Sequence, residues 1–280
     1  MTGWTETAFA KINLALHVRA RRSDGYHDIE TIFAFVDAGD VLTAAVADTD
    51  NLTITGEFAD ELSAGGDNLI VRALDFMRRL PGGDAVPPLA ITLEKKLPVA
   101  AGLGGGSADA AALIRLVHRE FAVGATDELV AASQVLGADV GACIISETRR
   151  GTGTGWQLAA VDDSDVRGLA VLLVNPREPL ATGPVFAGWD QRDRGALGDG
   201  PALATARGGR NDLEPPALAL VPEIDEVLAV LRAQLPLLAR MSGSGASCFA
   251  LFRNAAERDA AAARIADDHP DWWQMAGDIR

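Results

Sequence analysis

The chain has 280 residues, 48% hydrophobic and 23% charged, a globular balance that excludes wholesale disorder and leaves room for one large or two modest domains. Lys and Arg number 25 against 39 Asp and Glu, a formal net charge of −14, so phosphate backbones are repelled and nucleic acid is not an expected partner. Aliphatic runs such as Ala170 to Val174 fall far short of the ~20 residues of a membrane span, residues 1–20 lack a secretory-signal pattern, and Cys143 and Cys248 each lie in an apolar segment. The expectation is a cytoplasmic protein with buried free thiols and no membrane partner.

In chain order, Ile12, Leu14, Leu16 and Val18 alternate with Lys11, Asn13, Ala15 and His17, which predicts a first strand with one apolar face. The turn signal Asp24-Gly25 follows, then a strand-like run from Thr31 to Val36, so the two strands should form a hairpin. Further strands are expected over 41–46, 52–55 and 89–93. Residues 68–80 change to a helical period with Asp67 as the cap, and an Ala-rich helix over 108–121 and a third helix over 127–136 follow. Gly, Thr and Asp gather between Thr148 and Asp165, which places a domain boundary there: domains 1–158 and 159–280. Beyond it, 169–174 and 246–252 read as strands, and 222–235 and 255–267 as helices. The Gly- and Ala-rich stretch 194–210 reads as a mobile loop. Strands and helices distributed in this way indicate an α+β fold in two domains.

The segment from Leu97 to Asp109 carries the strongest chemical signal. After Pro98, Val99, Ala100 and Ala101, the residues Gly102, Leu103, Gly104, Gly105, Gly106, Ser107 and Ala108 place four glycines in five positions between a strand and a helix. Such a backbone can curl around phosphates and turn its N–H groups inward, beside the positive end of the helix dipole. No Lys follows the glycines, so it is not a Walker A loop, and Ser107 stands where a dinucleotide fingerprint needs its third Gly. A plain helix-capping glycine turn is the alternative. Gly137-Ala138-Asp139 offers a carboxylate among small residues, or only a helix end with an Asp turn. Ser242-Gly243-Ser244-Gly245 is a second small-residue loop without hydrolase spacing. Lys11 and Asn13 share the polar face of the first strand, where the ordinary reading is a solvated edge. The four His residues are scattered, so no metal cluster is expected from them.

Taken with Ala10-Lys11-Ile12-Asn13, Asp24-Gly25-Tyr26-His27, Asn68-Leu69-Ile70-Val71-Arg72-Ala73 and Asn211-Asp212-Leu213-Glu214, these segments resemble the galactokinase–homoserine kinase–mevalonate kinase–phosphomevalonate kinase (GHMP) superfamily over nearly the whole chain. Asp-Gly-Tyr-His after Lys-Ile-Asn is similar to its cytidine-binding branch. Ala100 and Ala101 stand where the family often has glycine, and Gly141 where Pro is common. The resemblance implies a two-domain GHMP kinase fold with the active site in the cleft between the domains. It implies ATP as co-substrate with Mg²⁺, and transfer of the γ-phosphoryl to the 2-hydroxyl of methylerythritol in a cytidine diphosphate ester of the non-mevalonate isoprenoid pathway. It further implies Lys11 and Asp139 as catalytic and residues 98–108 as the ATP loop, with Ser107 as a Mg²⁺ ligand. Asn68 and Lys95 would lie beside the adenine, and Asn13, Tyr26, His27, Thr182 and Phe186 at the second substrate, with Tyr26 and Phe186 as aromatic walls on opposite domains. Another small-molecule kinase of the superfamily, for homoserine or mevalonate, and a non-catalytic nucleotide-binding module are the competing readings.

Overall fold

The computed structural model describes residues 3–280, which gather into two compact units made from interleaved stretches of chain. The first unit takes the segment up to Ala10, Gly39–Val99 and Gly104–Ser146, and the second takes Lys11–Ala38, Ala100–Leu103 and Glu147–Arg280. A single cut in the sequence, such as one after residue 158, describes the order of the chain and not the membership of these units. Strands β1 (Trp4–Arg21) and β2 (His27–Val46) pair with each other, and each runs from one unit into the other. The turn joining them is closed by Arg22 N–H donating to Tyr26 O at 2.8 Å, and Gly25, at φ +89°, takes the left-handed position that the turn requires. The expected alternation of an apolar and a polar face does not hold in β1. Residues 11–18 are all buried, Lys11, Asn13 and His17 included.

In the first unit, β3 (Asn51–Thr55) lies parallel to β4 (Leu89–Glu94), and the Val41–Val46 end of β2 pairs antiparallel on the other side of β4. Helix α1 (Leu69–Arg79) starts at Asn68, whose side-chain oxygen accepts from Ile70 N–H at 2.9 Å. The cap is therefore Asn68 and not Asp67, one residue later than the pattern suggested. Ile70, Ala73, Leu74 and Met77, at helical spacing, form the buried face. Helix α2 (Gly105–Phe121) packs on α1, and α3 (Thr126–Ala132) and α4 (Val140–Ile145) pack together, with α4 also against α2. The alanines of α2 let neighbouring backbones approach, so almost every residue from Ala108 to Ile114 is buried.

In the second unit, β5 (Arg149–Thr152) pairs with Thr31–Phe33 of β2 and with β6 (Gln157–Ala160). A separate antiparallel sheet follows, in the order β10-β7-β9-β8, from β7 (Ala170–Asn175), β8 (Leu238–Met241), β9 (Cys248–Phe252) and β10 (Trp273–Asp278). The accompanying helices are α5 (Thr182–Ala187), α6 (Ala202–Gly208), α7 (Glu214–Leu220), α8 (Glu223–Ala233) and α9 (Ala255–Asp268). Leu172, Val174, Leu228, Leu231, Phe252 and Ile265 belong to its core, where each fully buried side chain contributes roughly 1.5–3 kcal/mol. The stretch 194–210 is not a loose loop. Leu197 N–H donates to Glu30, Arg150 reaches the carbonyls of Leu197 and Gly198, and residues 202–208 are helical. The stretch shows little local pattern because its partners are distant in sequence. Cys143 and Cys248 are buried free thiols, and burial raises the Cys248 pKa well above its ordinary value. Among the described residues no helix is long and apolar enough to cross a membrane.

Candidate active site

The glycine segment connects β4 to α2, and the two units hold different parts of it. On the first unit, Gly104 sits before the helix at φ +66°, its carbonyl accepts from Ala108 N–H at 2.8 Å, and no side chain caps the α2 N-terminus. The first-turn N–H groups of a 17-residue helix thus stand ready for an anion. Ser107 lies in that turn, half-buried, and a Cβ placed on Gly137 would come within 3.9 Å of its Oγ. Asp139 stands just before α4, half-buried, and its side chain does not cap that helix.

At the base of the segment Lys95, 2% exposed, extends its ammonium between two buried carboxylates, Asp40 at 2.5 Å and Asp109 at 3.0 Å. The other oxygen of Asp40 accepts from the backbone N–H of Lys96 at 2.6 Å and of Leu97 at 2.8 Å. Burial pushes the Asp109 carboxyl up to about 7, with Lys95 pulling the other way and Asp40 adding to the rise. Burial pulls the Lys95 ammonium down, but Asp109 and Asp40 together outweigh it and its pKa stands above the ordinary lysine value. A Cβ on Gly105 would come 2.9 Å from this ammonium, so Gly105 is small to fit the ion cluster beneath it. Lys95 therefore has no surface to offer an adenine ring, contrary to the expectation for it. Asn68 likewise spends its amide on local structure, accepting from Ile70 N–H and donating to Ser63 O at 2.8 Å.

On the second unit, three successive carbonyls of residues 101–103 are each engaged. Ser247 N–H donates to Ala101 O at 3.1 Å, Ser242 Oγ to Gly102 O at 2.8 Å, and Lys11 N–H to Leu103 O at 2.9 Å. In a planar trans peptide each C=O points opposite to the next N–H, so the N–H groups of Gly102, Leu103 and Gly104 are turned away from those donors. A Cβ on Gly102 would lie 2.2 Å from Ser242 O, so the two small-residue loops meet backbone to backbone. Asn211 pins the second loop by donating to Met241 O at 2.9 Å and Gly243 O at 2.8 Å. Lys11 is 4% exposed, not a solvated edge. Its Nζ donates to Asn13 Oδ1 at 3.1 Å and lies 5.1 Å from the centroid of the Phe33 ring. Asn13 Nδ2 in turn donates to Thr31 Oγ1 at 2.7 Å.

Tyr26 and Phe186 belong to the same unit, so they are not walls on opposite ones. Tyr26 is 64% exposed, while the partner of Phe186 is the His27 ring, 5.0 Å away with a 37° tilt, and His27 also meets Trp189 edge-on at 5.8 Å. Burial, with Arg21 second, lowers the His27 pKa, which favours a neutral imidazole. Thr182 opens α5, and its hydroxyl pairs with Ser244 Oγ at 3.0 Å.

The family models for the GHMP kinases N terminal domain and GHMP kinases C terminal match residues 68–147 and 192–271. Along its length the chain is 59% identical, over 98% of both chains, to 4-diphosphocytidyl-2-C-methyl-D-erythritol kinase of Sphingopyxis alaskensis, and 53% identical, over 99% of both, to that of Erythrobacter litoralis. The chain belongs to this GHMP kinase family. A solved structure of 4-(cytidine 5'-diphospho)-2C-methyl-D-erythritol kinase superposes with a TM-score of 0.80 at 30% identity, covering 99% of each chain. Homoserine kinase from Cytophaga hutchinsonii, at a TM-score of 0.67 and 16% identity, shares the fold. What sequence reasoning missed in this kinase is the supporting set of Asp40, Asp109, Thr31 and Ser242. Asp40 and Thr31 lie outside the sequence motifs, and each of the four side chains finds its partners at least 14 residues away along the chain.

Proposed function

We infer that the chain is an ATP-dependent kinase that phosphorylates the 2-hydroxyl of 4-diphosphocytidyl-2-C-methyl-D-erythritol in the non-mevalonate route to isoprenoid precursors, working in the cytoplasm. The observation that carries this reading is the end-to-end similarity to curated kinases of that name, at 59% identity. The glycine segment supports it, with the carbonyls of residues 101–103 engaged and the following N–H groups turned away from those donors, next in the chain to an uncapped helix start. We assign the phosphates of ATP to residues 98–108, within a family N-terminal half of 1–158 that precedes a C-terminal half of 159–280. Phosphoryl transfer needs positioning and charge neutralisation more than covalent chemistry. Asp139 would take the proton as the substrate hydroxyl oxygen bonds to the γ-phosphorus, and the β–γ bridging oxygen leaves with its electron pair as ADP. Lys11 would offset charge on the reacting oxygens. Asn13, His27, Thr182 and Phe186 would hold the cytidine ester, with Tyr26 at its exposed margin.

Among the described residues no group of three His, Cys, Asp or Glu side chains is arranged to hold a metal ion. Mg²⁺ binds through phosphate oxygens and one or two protein ligands in such sites, so it would enter with ATP, and Ser107 Oγ is the ligand we assign.

A coupled ADP-release assay offering the cytidine compound, homoserine and mevalonate in turn tests the function. Turnover is expected with the cytidine compound, with phosphate on the 2-hydroxyl by phosphorus NMR; faster turnover of homoserine or mevalonate overturns it. Asp139→Asn is expected to lose most of kcat, about 100-fold or more, while ATP affinity holds. A near wild-type kcat in that variant removes the base assignment.

A further inference from the structure

Thr31 lies on β2, fully buried, opposite Gly151 of β5. Its hydroxyl sits between two groups of β1: Oγ1 donates to Ala15 O at 2.6 Å, and Asn13 Nδ2 donates to Oγ1 at 2.7 Å. A hydroxyl has one proton and a carbonyl can only accept, so the bond to Ala15 commits that proton. The atom of Asn13 that faces Thr31 must then be the donor, and the amide oxygen is left facing the Lys11 ammonium, which can only donate. Turning the amide over would set an NH₂ group against an ammonium and a carbonyl oxygen against a hydroxyl oxygen whose proton is already used. The surroundings also fix the residue, since the backbone N–H of Asn13 donates to Ser242 Oγ at 3.2 Å and a Cβ on Gly243 would come within 3.3 Å of the side-chain Oδ1.

We propose that Thr31 is a positioning residue for phosphoryl transfer: its hydroxyl sets the orientation of the Asn13 amide, and through it the place of the Lys11 ammonium. This rests on the kinase reading and on Lys11 acting at the reacting oxygens. The chain of bonds runs Lys11 to Asn13 to Thr31 to Ala15, one donor to one acceptor at each step, so loss of the hydroxyl is felt two residues away. Lys11, Asn13 and Ala15 share one face of β1 by the period of two, and the neighbouring strand supplies the fourth member.

Two substitutions in the full-length chain separate orientation from packing. Thr31→Val keeps the volume and removes the hydroxyl; Thr31→Ser keeps the hydroxyl and removes a methyl group. Thr31→Val is expected to lower kcat by about 10- to 100-fold, the scale of a misplacement of about 1 Å, with KM for ATP within about twofold of wild type. Thr31→Ser is expected to stay within about threefold of wild-type kcat. The side-chain amide resonances of Asn13 should shift in the valine variant and return in the serine variant. If Thr31→Ser is as impaired as Thr31→Val, or Thr31→Val keeps its kcat, the residue only packs and the proposal fails. Should Thr31→Val not fold, as read by circular dichroism, Thr31→Ala replaces it with the same expected kcat loss. Wild-type protein is run on the cytidine compound in the same assay. Its failure to turn over would overturn the functional reading, whereas an active wild type with an unaffected Thr31→Val overturns only the positioning role.

Discussion

Two buried lysines are held in different ways. Lys95, at the end of β4, is fixed by charge, with one carboxylate from β2 and another from α2 on its ammonium. Lys11, on β1, has an oriented dipole and a ring face among its partners: the Asn13 amide oxygen at 3.1 Å and Phe33 at 5.1 Å. Ion pairs in a low-dielectric interior are hard to break once formed, so Lys95 serves the fold, tying the strand side of the glycine segment to its helix side. A neutral amide fixes an ammonium without cancelling its charge, which suits a lysine expected to meet phosphate oxygens. Burial by itself therefore does not distinguish a structural lysine from a chemical one.

The charged half of this comparison breaks most visibly. Lys95→Met leaves Asp40 and Asp109 buried together without their cation and should cost about 3–5 kcal/mol in urea unfolding at neutral pH, with the deficit shrinking in acid as the carboxylates protonate. Wild-type stability in that variant would show the cluster to be dispensable. Asp109→Asn sharpens the same point. The folded pKa of Asp109, about 7, lies above its ordinary 3.8, so the native state holds the proton more tightly than the unfolded chain does. The contribution of this group to stability is full below about pH 4 and falls as pH rises to about 7. The Asn variant lacks that slope, so it should gain on wild type across the window by a few kcal/mol. Parallel pH–stability curves would refute the coupling.

The small-residue loop whose Ser242 accepts from Asn13 responds less. Asn211→Ala removes the donor shared by Met241 O and Gly243 O and should cost about 1–3 kcal/mol, measured in the same urea series. A cost as large as that of Lys95→Met would show that the loop anchor matters to the fold as much as the ion cluster does. Tyr26 stands outside both networks and is largely exposed, so Tyr26→Ala should leave stability within about 0.5 kcal/mol. A larger loss in thermal melts would mean that the turn contributes to the core.

Much of the local structure was legible beforehand. Period-two alternation marked β1, the Asp-Gly pair marked its turn, and helical spacing with an Asx cap marked α1 to within a residue. Helix α2 begins three residues before the expected Ala108, because glycines give no propensity signal for the first turn that they nonetheless form. The short β8 and β10 and the helix over 202–208 passed unnoticed, since four to seven residues carry too little period to stand apart from their surroundings. The ring beside Phe186 is likewise set by the fold. Tyr26 was the conspicuous ring in the sequence, but the chain direction after the turn puts His27 inward and leaves Tyr26 outward.

Sequence by itself determined the family and the α+β character, because glycine runs, caps and alternating strands act through neighbours a few residues apart. Tertiary structure alone decided the distant partners of the buried polar side chains. Asp40 lies 55 residues before Lys95 and Ser242 lies 229 after Asn13, and no periodicity spans such separations. It also decided the inward face of Gly105 and the orientation of the Asn13 amide, because a hydrogen bond's direction follows from which donors and acceptors the fold brings within about 3 Å.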